Sequence, residues 1–198
     1  LDLAAVDPDS PEGLVDWRKF LSNVLPHVDF FVPSIEELCF MLDRPRYDEW
    51  MERAGEEDVT EILDLEKDVR PLAAQAMELG VKVLMLKCGA KGMYYQTAGA
   101  DLIGKIPAAV ELKAEDWTEK SGFQKSFIPE KVLSGTGAGD SSIGCFLYSM
   151  LKGYPVEHCI QLAAAQGASC VEAVDTLSGL HTLPELEEKI AAGWKTRE

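Results

Sequence analysis

A chain of 198 residues that is 46% hydrophobic and 27% charged has the apolar content to bury a sizeable core and is too hydrophobic to be disordered. Its 34 acidic residues against 19 basic give a formal charge of −15, which argues against nucleic acid or an anionic membrane surface as a partner, since either would be repelled over most of the molecule. Five widely spaced cysteines, with no CxxC pair, read as buried small hydrophobes of a reducing compartment, and with no apolar run near the ~20 residues of a membrane span a cytoplasmic protein is expected.

The chain opens on LDLAAV, which reads as the tail of a buried strand over residues 2–6, so further residues are expected upstream. Residues 14–25 place Leu14, Trp17, Leu21, Val24 and Leu25 on one face, with Pro26 as a stop, and predict a surface helix. VDFFV at 28–32 suits a strand buried on both faces. Pro33 ends it, and Ser34 with Glu37 forms the S-x-x-E pattern of a capping box. That box falls at the carboxyl end of a strand, where open α/β sheets place their ligands.

Residues 43–60 predict no more than one or two short helical turns, with Thr60 capping the next helix, and residues 68–80 predict a helix ended by Gly80. A strand at 81–89, a glycine turn and a second strand at 93–96 make an antiparallel hairpin arm, beside which Lys87 and Lys91 supply sparse positive charge; surface solubility is the competing reading of both. Residues 101–131 look irregular, anchored by Trp117 and Phe127, with a short strand at 127–128. Helices are expected over 140–152, from Pro155 onward, and from Pro184. The middle one is rich in alanine at residues 163–168, where small side chains admit either a close-packed helix or a flat ring, the former being commoner. His27, His158 and His181 read as structural or surface residues. The alternation of strands and helices predicts an α/β fold with a mostly parallel sheet covered on both faces.

The chemistry concentrates in SGTGAGDSS, residues 134–142, which runs directly into a helical segment. Glycine allows close backbone approach, and the free N–H groups and dipole of a helix start attract anions. Asp140 would repel a phosphate there unless its task is to accept a proton from the group being phosphorylated. A tight turn with an acid in the first helical turn is the competing structural reading. The spacing is neither that of a Walker A loop nor that of a dinucleotide fingerprint.

GTGAGDSSIGCFL, residues 135–147, resembles the C-terminal signature DTTGAGDxFxxGFL of the PfkB or ribokinase family of carbohydrate kinases. LMLKCGAKGMYY at 84–95, VDFFVPSIEELCFML at 28–42 and QLAAAQGASCVEAVDTLSGL at 161–180 are similar to the family's glycine turn, its NxxE unit and its tail helix. The resemblance implies a three-layer ribokinase-like (Rossmann-like) α/β fold and transfer of the γ-phosphoryl of ATP to a hydroxyl of a sugar or sugar-like substrate. It implies Asp140 as the base and the backbone N–H groups of Gly137, Ala138 and Gly139 as the anion hole. Glu37 would organise magnesium through water, Gly89 and Gly92 would border the nucleotide, and Ala164 and Ala168 would lie by adenine; Lys87 and Thr136 are counted with the nucleotide site.

Two departures matter: Ser34 replaces the family's asparagine, and Ser134 and Gly135 replace its aspartate and threonine, which removes a carboxylate from the family's monovalent-cation site. ATP and magnesium are the expected cofactors, a small sugar-like molecule is the expected partner, and a homodimer stays open because dimers through lid strands are common in the family. The family's sugar-binding aspartate, glycine pair and lid strands do not appear. The whole of residues 1–198 is therefore expected to be the C-terminal, nucleotide-side portion of a ribokinase-like kinase domain, with the N-terminal part and lid missing. The alternatives are a truncated or non-catalytic nucleotide-binding relative, and a kinase for a nucleoside or a vitamin-like alcohol.

Overall fold

In the computed structural model, which describes residues 1–197, four strands form one sheet in the order β1-β2-β3-β4. Strand β1 (Phe30–Phe31) lies parallel to β2 (Val83–Lys87), with Phe30 opposite Val83 and Phe31 opposite Leu84. Strand β3 (Gly92–Thr97) returns antiparallel to β2, and β4 (Ser121–Lys125) runs antiparallel to β3. The expectation of a mostly parallel sheet is therefore corrected to a mixed one. The glycine turn reverses the chain between Lys87 and Gly92, whereas a parallel return needs a crossover of a dozen residues or more.

Period-two alternation sends Phe31, Leu84 and Leu86 to one core and Phe30, Val83 and Met85 to the other. Both faces must then be covered. The first carries α1 (Trp17–Val24), α2 (Ile35–Leu42), α3 (Arg44–Ala54), α4 (Val59–Ile62) and α5 (Arg70–Glu78), which contribute Leu21, Leu38, Trp50, Val59 and Leu72. The second carries α6 (Ala100–Ile103), α7 (Ala114–Trp117), α8 (Ala138–Leu151), α9 (Val156–Cys170) and α10 (Leu183–Ala191), with Ile103, Trp117, Phe146, Ile160 and Leu186. This is the expected three-layer arrangement, helices on both sides of a sheet.

Several local expectations hold. The Ser34–Glu37 capping box forms in both directions, at 3.2 and 2.9 Å. Trp117 and Phe127 are both 2% exposed anchors. The alanine-rich stretch of α9 does admit a helix: α8 approaches so closely that a Cβ on Gly167 would lie 2.5 Å from Ser142 Oγ. His158 is structural, its Nε2 2.9 Å from Glu187 Oε1 and holding that carboxyl below its usual range, so that α9 is clipped to α10.

Others are corrected. Residues 2–6 form no strand: pairing with β1 is confined to Leu1, whose N donates to Phe30 O at 2.8 Å and whose O accepts from Val32 N at 2.9 Å. Leu14, placed on a helix face, is 86% exposed in a 3-10 turn (Pro11–Leu14), because Asp16 caps the helix later by accepting from Lys19 N. Residues 43–60 hold the eleven-residue α3, capped by Asp43 and docked through Trp50, while Thr60 lies inside α4, which Asp58 caps. The strand foreseen at 127–128 is displaced to β4, and Phe127 instead bridges Thr196. Among the described residues no helix is long and apolar enough to cross a membrane.

Candidate active site

The glycine loop is tied down at its start, where Leu133 N and Ser134 N donate to Val171 O at 2.8 and 3.4 Å. Ser134 Oγ then accepts from Thr136 N at 3.2 Å. Gly137, at φ 80°, turns the chain into α8, and a Cβ there would meet the Thr176 methyl at 2.6 Å, so only glycine fits both the backbone and the space. Ala138 N reaches Gly135 O at 3.3 Å, while the amides of Gly139 and Asp140 find no acceptor among the described residues. Two free N–H groups at the positive end of a fourteen-residue helix make an anion-binding turn.

That turn separates two cavities. One, of about 430 Å³, is lined by Lys87, Gly89, Gly92, Gly135, Ala138, Gly139, Ala164 and Ala168, together with Asp58, Phe127, Val132, Val171 and Arg197. The other, of about 920 Å³, runs along α8, with Gly137, Asp140, Ser141, Gly144 and Tyr148 on one wall and Thr176, Leu177, Leu180 and His181 on the other. Most of the expected nucleotide-side residues thus share one cavity, and Asp140 is exposed to the other. Thr136 lines neither, its carbonyl instead facing Cys170 Sγ at 3.9 Å.

Lys87 sits at the carboxyl end of β2 with its side chain 16% exposed, and its Nζ lies 3.1 Å from each carboxylate oxygen of Asp2. A Cβ on Gly139 would lie 3.6 Å from that Nζ, which puts the ammonium against the first turn of α8. Glu37 occupies the same end of the sheet, since Lys87 N donates to Pro33 O at 2.9 Å and Ser34 bridges Lys87. Glu37 Oε2 is used by the capping box, which leaves Oε1 available. Among the described residues no three His, Cys, Asp or Glu side chains gather into a metal cage. Glu37 lines neither cavity, and a single carboxylate suits only an ion such as magnesium, which keeps most of its waters.

The Cys88 thiol, which precedes the Gly89–Gly92 turn, is inert, because burial pushes it up to about 12. Burial, with Asp58 and Glu37 close by, likewise raises the Glu36 carboxyl. Sequence reasoning missed Asp2, Asp58 and Arg197. For Asp58 a signal existed, the Asp-x-Thr start of α4, whose Oδ1 accepts from both Thr60 N and Thr60 Oγ1.

The profile of the pfkB family carbohydrate kinases matches residues 2–183. An uncharacterized sugar kinase of Archaeoglobus fulgidus is 25% identical over 182 residues, covering 90% of this chain and 54% of that protein. The structure of Arabidopsis thaliana ribokinase complexed with ribose and ATP superposes with a TM-score of 0.59 at 21% identity, over 84% of this chain and 42% of that one. A putative ribokinase II from Escherichia coli, in complex with ATP and Mg2+, gives 0.58 at 22% identity, over 88% and 43%. The chain thus spans about half the length of these relatives. The match takes in residues 2–183, nearly the whole chain, so the expected resemblance to a C-terminal portion alone is corrected to a family match along nearly all of the chain.

Proposed function

Since the chain belongs to the pfkB family of carbohydrate kinases, we propose that it transfers the γ-phosphoryl of ATP to a hydroxyl of a sugar or sugar-like substrate and carries the nucleotide side of that reaction. The observation that carries this reading is the split at the glycine turn, with Lys87, Gly89, Gly92, Gly139, Ala164 and Ala168 on one side and Asp140 on the other. ATP fits the smaller cavity, with adenine against the small side chains of α9 and the triphosphate pointing at the start of α8. The free amides of Gly139 and Asp140, with the Lys87 ammonium close to Gly139, oppose the negative charge that grows on the transferring phosphoryl.

The acceptor hydroxyl approaches from the side of Asp140. As its oxygen bonds to the γ-phosphorus and the bond to the β-phosphate oxygen breaks, its proton passes to the Asp140 carboxylate. Glu37 would hold magnesium through water, together with the phosphates, and the ion would supply charge neutralisation there. Lys87 remains paired with Asp2, which fixes the ammonium in place before the nucleotide arrives.

A phosphorylation screen over pentoses, hexoses, polyols, nucleosides and vitamin-like alcohols tests the reading, run beside Asp140→Asn. The variant should keep ATP affinity within a few-fold and lose about 10²–10⁴-fold in turnover, the usual worth of a positioned general base. Near-normal turnover in Asp140→Asn removes it as the base, and an ATP-dependent product from none of the acceptors removes the kinase assignment.

A further inference from the structure

The segment after α10 does not leave the molecule. It folds back across residues 126–128, which follow β4: Ile128 N donates to Lys195 O and Arg197 N to Ser126 O, both at 2.9 Å, and Thr196 bridges Phe127. Trp194 locks this strap, stacking on Phe127 at 4.8 Å between centroids and donating its Nε1 to Ile128 O at 2.6 Å, while Lys189 Nζ caps the indole at 3.8 Å. Phe127 is 2% exposed and is itself a wall of the 430 Å³ cavity. The strap therefore backs the cavity and delivers Arg197 to its lining.

The charges in that lining are Asp58, Lys87 and Arg197. Lys87 is matched by both oxygens of Asp2 at 3.1 Å. Arg197 has a weaker hold, one Nη1 contact to Glu61 Oε1 at 3.3 Å with both side chains 43% exposed. That is longer than the 2.7–2.9 Å of a strong charge-assisted bond, and Glu61 is the guanidinium's one side-chain partner among the described residues. A polyanion entering a cavity of a protein with formal charge −15 needs such a cation.

We propose that Arg197 is a nucleotide-binding residue of this cavity, positioned by the Trp194–Phe127 strap and exchanging Glu61 for the anionic part of the nucleotide. The inference rests on the reading of that cavity as the ATP site. It concerns a residue far in sequence from every glycine motif, delivered by a contact 66 residues long in the chain, Trp194 to Ile128.

Calorimetric titration of the chain with ATP and, separately, with adenosine tests it. Arg197→Ala should weaken ATP about tenfold, the value of a charged hydrogen bond, and leave adenosine unchanged. Arg197→Lys should restore part of the ATP affinity, and Trp194→Ala, which keeps the charge and loosens the strap, should also weaken ATP. Thermal unfolding of each variant reports whether the fold is intact. Equal loss for ATP and adenosine in Arg197→Ala would make the residue a mere wall, and an unchanged ATP affinity would overturn the proposal while the cavity assignment stands. Failure of the wild-type chain to bind ATP would overturn both.

Discussion

The two cavities that flank the start of α8 are built in opposite ways. The cavity of about 430 Å³ draws its lining from separate segments around Asp58, the Lys87–Met93 hairpin, the loop before α8, the C-terminal half of α9, and Arg197. The Asp140 side is essentially one helix face and the loop after α9, and it leaves Tyr148, Leu177 and Leu180 at 51%, 72% and 46% exposure. Backbone groups clamped from several directions cannot readily reorganise, which is the rigidity that electrostatic stabilisation in the proposed phosphoryl transfer requires. The Asp140 side holds one carboxylate on a helix turn and leaves room around it. Rigidity on one side and tolerance on the other should show up in mutants.

The largest effect is expected at Gly92. A Cβ there would lie 2.0 Å from Gln124 O, a backbone atom of β4, at a φ of 134°. Neither the strand pairing nor the backbone torsion can give way cheaply, so Gly92→Ala should lose about 3 kcal/mol or more, read as a lower urea midpoint together with lost ATP binding. Wild-type stability in that variant would show that the hairpin turn is not held from across the sheet, and the contrast between the cavities would fail.

Gly144 offers the reverse case on the other side. A Cβ there would meet nothing within 4 Å, in the middle of α8. Gly144→Ala should therefore stabilise by about 0.5–1 kcal/mol, the ordinary gain of alanine over glycine inside a helix. A destabilised Gly144→Ala would mean that this face of α8 is packed in solution, and the groove beside Asp140 would not be open.

What could be read from the sequence divides along similar lines. The Ser34–Glu37 box, the Gly89–Gly92 hairpin, the Pro155 start of α9 and the glycine loop are local devices whose residues dictate their own geometry. Helix α3 was not legible, because a stretch as charged as RPRYDEWMERA is held by one buried ring: Trp50, 1% exposed, donates to Asp68 Oδ1 at 3.1 Å. Strand β4, SGFQK, is polar and half exposed, so neither alternation nor β-branching marks it. At the site, Lys87 and the glycines were expected from the family resemblance, but their partners were not. Asp2 lies 85 residues from Lys87 and Arg197 lies 136 from Glu61, and no periodicity connects residues that only the tertiary fold brings together.

The smallest effect belongs to the loop that walls the Asp140 side. Ser178 Oγ and N donate to Asp175 at 2.6 and 2.7 Å, and Leu177 N donates at 2.8 Å. These bonds hold its carboxyl down at about 2 against an ordinary 3.8. A carboxyl depressed by folding stabilises the native state fully above its unfolded value, and the contribution disappears as the pH falls through the folded value. The gap in urea midpoint between the wild type and Asp175→Asn should be constant well above 3.8 and close as the pH drops from there toward 2. The side chain is exposed, so solvent keeps the gap small, but its pH profile is diagnostic. A gap that stays flat across that window would mean that the turn beneath Gly137 does not depend on the Asp175 charge, and that Thr176 is held against the glycine by packing alone.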